Sequence, residues 1–234
     1  MARFLAVCLA IHVVCSGPRA VADDGTTLNP RSWLPVSGQW SAGASHIREL
    51  SDSADAGDRP FWAAGGSTTW SNYRLEAALE ALDGVGSFYL AIRWQNRENH
   101  YALELGEPGG RVRILLTEQG QTTELAAIDD TITIGARQPP VPVAFEATGV
   151  TLRAYVNGEP VLDVMDDTFA GGCVAIGERH RRAAFSSLRM VETTPGPAST
   201  GFRIRYTGVR RVFLRHERDA TAQLTITNAT AETG

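Results

Sequence analysis

The sequence predicts an all-β protein, two antiparallel sheets packed face to face, and three observations carry the prediction. Apolar residues alternate with a period of two through most of the chain, the spacing that turns one side of a strand toward a core. About ten to twelve such runs recur, roughly 8–12 residues apart, with turn residues between them. No stretch keeps a helical period.

The amino end reads as a secretory leader, residues 1–22. Arg3 supplies its charge, Phe4 to Val14 its apolar run, and Ala20-Val21-Ala22 a small-residue cleavage site before Asp23. The run is too short to span a bilayer. The expected location is therefore outside the cytoplasm, secreted or periplasmic. Loss of the leader removes Cys8 and Cys15 and leaves Cys173 as the single cysteine, so no internal disulfide is available. It also removes Arg3 and Arg19, taking the net charge from −4 to −6. That balance argues against nucleic acid as a partner. The chain has no lysine, read here as the mark of GC-rich bacterial coding.

From residue 23 to 192 the chain reads as one sandwich. Leu28–Leu50 is a region of short strands holding Trp33, the Ser37-Gly38 turn and Trp40. Ser51–Gly66 is small and polar, a loop in which Trp62 is the tryptophan expected to stand exposed. Tyr73–Leu82 has helical composition, but Tyr73, Leu75, Ala77 and Leu79 alternate with Arg74, Glu76, Ala78 and Glu80, which favours a strand.

Ser87–Trp94 (SFYLAIRW) alternates most strongly, followed by Tyr101–Leu105 and Arg111–Leu116. Paired strands must share faces. Trp94 is then expected opposite Tyr101 on the core side, Arg93 opposite Ala102, and Glu104 opposite Arg113. The result is a polar ladder, Arg93–Glu104–Arg113 with Tyr89 beside it, on the face away from the core. It reads either as a solvated ion ladder contributing about 0–1 kcal/mol per pair, or as the floor of a ligand cleft. Arginine forks and a carboxylate there would hold sugar hydroxyls or an anionic glycan.

The remaining strands are Thr122–Ile128, Val143–Ala147, Thr151–Val156, Val161–Met165, Cys173–Gly177 and Ala183–Val191. Asn157-Gly158 is the clearest hairpin signal, and Arg179-His180-Arg181-Arg182 is expected as an exposed turn. Residues 193–200 read as a linker. Residues 201–234 form a β-rich, arginine-rich extension, too short for a core of its own. It either adds to the sandwich or belongs to a further domain.

These residues together resemble a known family. The series Trp33, Ser37-Gly38-Gln39-Trp40, Thr69-Trp70-Ser71-Asn72-Tyr73 and Ile92 to Tyr101, then Arg153 to Val161, Gly171-Gly172 and Ala184 to Leu188, is similar to the concanavalin A-like lectin/glucanase superfamily. Its nearest likeness is to the laminin-G-like and 3-keto-disaccharide hydrolase-like domains of secreted bacterial proteins. The resemblance implies a jelly-roll sandwich whose concave sheet holds a glycan. It also implies a role for the Arg93, Asn96, Asn99, Tyr101 segment, and a polysaccharide-active enzyme as a neighbouring domain or partner.

Chemistry beyond binding is not evident. A retaining glycosidase needs two carboxylates roughly 5–5.5 Å apart, and the Glu-x-Asp-x-Glu strand that supplies them in laminarinase-like members is missing. Glu104 lies among arginines, which favour the ionised form over that of a general acid. There is no nucleophile elbow and no phosphate-binding glycine loop. The histidines lack metal-ligand spacing. No cofactor is expected, although Asp163, Asp166 and Asp167 would suit calcium as hard oxygen ligands.

The leading expectation is a carbohydrate-associated, non-catalytic sandwich with no catalytic residues. Its ligand-binding set is Tyr89, Arg93, Glu104, Arg113, Trp62 and Asn99, and its partner a polysaccharide or oligosaccharide. A hydrolase or lyase acting on a modified sugar, and a structural or adhesion module, remain as alternatives.

Overall fold

The computed structural model describes residues 25–51, 59–106, 109–129, 134–136 and 138–194. The leader at 1–22, the extension at 201–234 and all of the linker past Thr194 lie outside the described residues. Thirteen strands follow one another: β1 (Thr26–Thr27), β2 (Leu34–Pro35), β3 (Trp40–Ala42), β4 (His46–Glu49), β5 (Phe61–Gly65), β6 (Tyr73–Asn96) and β7 (Asn99–Gly106). After them come β8 (Arg111–Glu118), β9 (Gln121–Ile128), β10 (Val141–Thr148), β11 (Thr151–Val156), β12 (Glu159–Met165) and β13 (Cys173–Glu192). A single 3₁₀ turn, Pro30–Ser32, capped by the Asn29 side chain, is the one helical element among the described residues.

Two long strands organise the rest. The first half of β6 pairs with β10 and with the second half of β13, in the order β12-β11-β10-β6-β13-β4-β3. The second half of β6 pairs with β7 and with the first half of β13, and β8, β9, β5 and β2 complete that sheet. All of these pairings are antiparallel, and the fold is a jelly-roll sandwich.

The sequence divides β6 into Tyr73–Leu82 and Ser87–Trp94, and β13 into Cys173–Gly177 and Ala183–Val191. Each pair of runs is one strand whose halves serve different sheets. The bend between halves is made where β13 shifts register on β6, between Arg179 and Arg181 and again between Arg182 and Ala183. His180 sits there at φ 65°. Gly86 lies so close beneath that a Cβ on it would stand 1.9 Å from the Arg179 carbonyl, so no other residue fits. The Arg179–Arg182 segment is thus strand with a bulge, not the exposed turn the sequence indicates. Arg181 is buried inside the sandwich, stacked 4.4 Å over the Phe88 ring and donating to the Ile134 carbonyl.

Period-two alternation places Leu75, Leu79, Phe88, Leu90, Ile92, Tyr101, Leu103, Ile114, Phe145, Ile176 and Phe185 between the sheets, all buried. At roughly 1.5–3 kcal/mol per large side chain removed from water, this core is the main stabilising term. A smaller cluster, Trp62, Tyr89, Ala91, Trp94, Ala102, Leu115 and Ala175, covers the opposite face of the second sheet.

Candidate ligand-binding site

That outer face carries the site, and the alternation of the strands determines what points there. Between inward Phe88, Leu90 and Ile92, β6 presents Tyr89 and Ala91. Between Leu103 and Leu105, β7 presents Glu104. In the same way β8 presents Arg113 and Leu115, and β13 presents Ala175, Gly177 and Arg179. The small residues in the middle leave a hollow, a pocket of about 500 Å³ bounded by side chains of β5 to β9 and β13. Gly177 is one condition for it. A Cβ there would meet the Trp62 ring at 2.6 Å, so glycine lets the indole lie against the sheet.

Glu104 forms the floor and is 2% exposed. Three donors hold it. Tyr89 Oη donates to Oε1 at 2.9 Å, Arg179 Nη2 donates to Oε1 at 3.2 Å, and Arg113 Nη2 donates to Oε2. Charge-assisted bonds of this kind compensate the desolvation of a buried carboxylate. Both arginines are about a third exposed at their outer edges. Burial and the Glu104 charge push the Tyr89 hydroxyl well above its usual range, so it stays a donor.

One wall is aromatic. Trp62 lies 5.4 Å from Tyr89 and 4.8 Å from Trp94, ring centre to centre. His100 fits between the two indoles, 5.3 Å from Trp62 and 4.5 Å from Trp94. Burial pulls its pKa down to about 4, so the ring is neutral. Its Nδ1 lies 3.2 Å from the Asn96 carbonyl, which requires the proton on Nδ1 and leaves Nε2 an acceptor.

Two expected partners hold these positions: Glu104 faces Arg113 in the β7–β8 register, with Tyr89 opposite Glu104 across β6–β7. Arg93 does not join them. In β6, Arg93, Trp94 and Gln95 stand against the single residue His100 of β7, between the Ile92–Tyr101 and Asn96–Asn99 pairs. Arg93 takes φ 47° to make this bulge. The side chains beyond Ile92 therefore exchange faces relative to a regular hairpin. Trp94, expected on the core side, comes to the outer face, and Arg93 leaves it. The Arg93 guanidinium is buried at the end of the sandwich, donating to the carbonyls of Ser71, Gly149 and Phe169 at 2.6–3.2 Å. It ties three loops together.

Trp62 is the second correction. It lies on a strand, β5, and is 4% exposed, forming the wall of the pocket instead of an exposed loop residue. Asn99 stands outside the pocket lining. It closes the β6–β7 turn through Asn96 Oδ1 and accepts from the Gln119 amide at 3.0 Å. Arg179, the residue that completes the floor, was not legible as a site residue, because the bulge at His180 hides the strand that carries it. The alternation Ala175, Gly177, Arg179 was the available signal.

Arg113 stands between Glu104 and Glu124, 3.7 Å from the latter, so the two acids share a guanidinium. Of the possible calcium ligands, Asp163 pairs with Arg153 across β11–β12. Asp166 turns inward, accepting from Tyr101 Oη and from the Thr168 amide. Among the described residues no group of three or more His, Cys, Asp or Glu side chains converges to hold a metal, and no helix is long and apolar enough to cross a membrane.

Comparison with known proteins adds the fold's relatives. No family model and no curated protein sequence matches this chain. Among solved structures, the carbohydrate-binding module CBM66 from Bacillus subtilis superposes with a TM-score of 0.60 at 19% identity, covering 69% of this chain and 96% of that one. The exoplasmic/lumenal domain of VIP36, bound to Ca²⁺ and Man3GlcNAc, gives 0.56 at 10% identity over 72% and 86%. A protein of unknown function with a galectin-like fold, also from Bacillus subtilis, gives 0.54 at 12% identity over 70% and 90%. All three share the antiparallel jelly-roll architecture of this chain. At these identities the likeness establishes the fold alone.

Proposed function

We propose that this protein binds a glycan, without cleaving it, in the pocket over Glu104, and that it does so outside the cytoplasm. The observation that carries the reading is the floor itself: a buried carboxylate held by Tyr89, Arg113 and Arg179 beside the Trp62 ring, which Trp94 backs. Fixed polar groups that match hydroxyl geometry, next to an aromatic surface for the apolar side of a sugar ring, are what saccharide recognition requires. Two proteins of similar fold support it: one is a carbohydrate-binding module, and another holds Man3GlcNAc. The shared guanidinium between Glu104 and Glu124 speaks against an acid and nucleophile pair.

The contact residues are then Trp62, Tyr89, Glu104, Arg113, Arg179 and His100. Arg93 and Asn99 shape the neighbouring loops. Purified protein incubated with a panel of soluble and insoluble polysaccharides is expected to be retained without releasing reducing ends. Arg113→Ala and Arg179→Ala should each weaken retention at least about tenfold, the loss of one charge-assisted contact. Release of reducing ends that stops in Glu104→Gln would replace this reading with a hydrolytic one.

A further inference from the structure

The charge around the pocket is unlike that of the chain. The protein carries a net charge of −4, yet the pocket is bounded by Arg59, Arg97, Arg113 and Arg179 against Glu98, Glu104 and Glu124. Two of the three acids, Glu104 and Glu124, are already engaged in ion pairs. Glu104 is compensated by two guanidiniums at once. Glu124 is drawn toward Arg111, 3.2 Å away, which is not part of the lining. Of the arginines, Arg113 is engaged with both of these acids, and the other three keep donors to spare. Arg179 gives only Nη2 to Glu104, and no other acceptor for its guanidinium is found among the described residues. Arg59 and Arg97, at the rim, make no ion pair among the described residues. A planar fork that still has hydrogens to donate, in a partly enclosed hollow of lowered dielectric, attracts an oxyanion far more strongly than it attracts a hydroxyl.

We infer that the ligand is an acidic saccharide, whose carboxylate or sulfate group lies between Arg179 and the rim arginines while an adjoining ring rests against Trp62. This rests on the glycan-binding reading above and makes its ligand class specific. The neutral state of His100 matters here: it neither adds to the attraction nor competes for the anion. The net negative charge of the chain gives polyanions no general attraction to it, so binding of such a polymer would have to come from a local cluster of cations like this one.

The test is titration calorimetry of the purified protein at low and moderate salt with four probes. These are an oligogalacturonide, the same oligomer methyl-esterified, dextran sulfate and unmodified dextran. The expected result is at least tenfold tighter binding of a charged probe than of its neutral counterpart, with the advantage shrinking as salt screens it. The pair of probes that shows it identifies carboxylate or sulfate as the group. The double variant Arg59→Gln, Arg97→Gln, at exposed rim positions that leave the floor intact, should reduce that advantage severalfold. Equal binding of charged and neutral forms would overturn the acidic-ligand inference and leave glycan binding standing. Absence of binding to any probe, together with none on the wider polysaccharide panel, would overturn both.

Discussion

Two buried glutamates in this molecule, Glu104 and Glu178, are 2% and 1% exposed and have opposite surroundings. Glu104 faces outward from the second sheet and meets a tyrosine hydroxyl and two arginines. Glu178 faces inward, one residue away along β13 from Arg179, and meets another acid, Glu49. Burial, reinforced by the Glu49 charge, raises Glu178 to about 8, against the Arg181 amide, which donates to it at 3.0 Å. Glu49 Oε2 finds no donor of its own; a proton on Glu178 supplies one. One acid thus lies among donors beside an opening, and the other is kept protonated in a closed interior. A carboxylate surrounded by donors at a surface hollow is arranged to meet something. A carboxylate that holds its own proton is satisfied internally.

The largest expected effect tests the interior member. Arg181→Met removes the one cation described beside the acid pair and its bonds to the Gly86 and Ile134 carbonyls. It should cost about 3–5 kcal/mol in denaturant unfolding, as breaking a buried charge network does. Arg113→Met on the outer face should cost under about 1.5 kcal/mol, because its edge is already wet. Similar losses at both positions would erase the distinction between them.

Gly177→Ala comes next. The added methyl must displace Trp62, an overpacking expected to cost about 1–3 kcal/mol and to weaken saccharide retention with it. A stable variant that binds as before would show that the indole is not part of the wall.

The pH dependence of stability separates the two acids further. Glu178 is raised from 4.5 to about 8. The unfolded chain therefore releases this proton while the folded one keeps it. Its contribution is complete below about pH 4.5 and is lost as pH rises through 8, at no more than about 1.4 kcal/mol per pH unit. His100 acts in the other sense: lowered from 6.5 to about 4, it stabilises above pH 6.5 and loses that contribution as pH falls toward 4. The two oppose each other between about pH 4.5 and 6.5, so the visible trend is falling stability from about pH 6.5 to 8. Glu178→Gln should flatten it in thermal melts across that range, and Glu104→Gln should not. A flat profile in the unmodified protein would show that Glu178 is not the proton holder.

Sequence reading reached these regions unequally. Where a strand alternates without interruption, as from Tyr101 to Leu105 and Arg111 to Leu116, faces and register followed directly, and Glu104 opposite Arg113 was legible from parity alone. Parity fails at a bulge. Arginine at φ 47° has no residue signature, so the exchange of faces by Arg93 and Trp94 could not be read from composition. The Ala63, Ala64, Gly65 run looks like a loop because small residues do, yet it is a strand beside β13 whose smallness serves close packing. Glu178 falls between the Cys173–Gly177 run and the Arg179–Arg182 segment read as a turn, so no alternation assigned it a face. Only the continuous course of β13 past His180 turns it to the interior and Arg179 to the pocket.

That continuity bears on how the chain comes to fold. Tyr73 Oη donates to the Cys173 carbonyl, a hundred positions away, and the β6–β13 ladder spans comparable separations along its length. Both sheets have this ladder at their centre. Until β13 emerges, each sheet is divided into a left and a right part with no seam between them. Closing so long a loop is slow, and there is no early nucleus in which either layer is complete. The sandwich should therefore stay incomplete until β13 has been made, and gain both layers in one late event. Substitutions along the β6–β13 seam would slow folding itself, whereas those in the outer hairpins would mainly hasten unfolding.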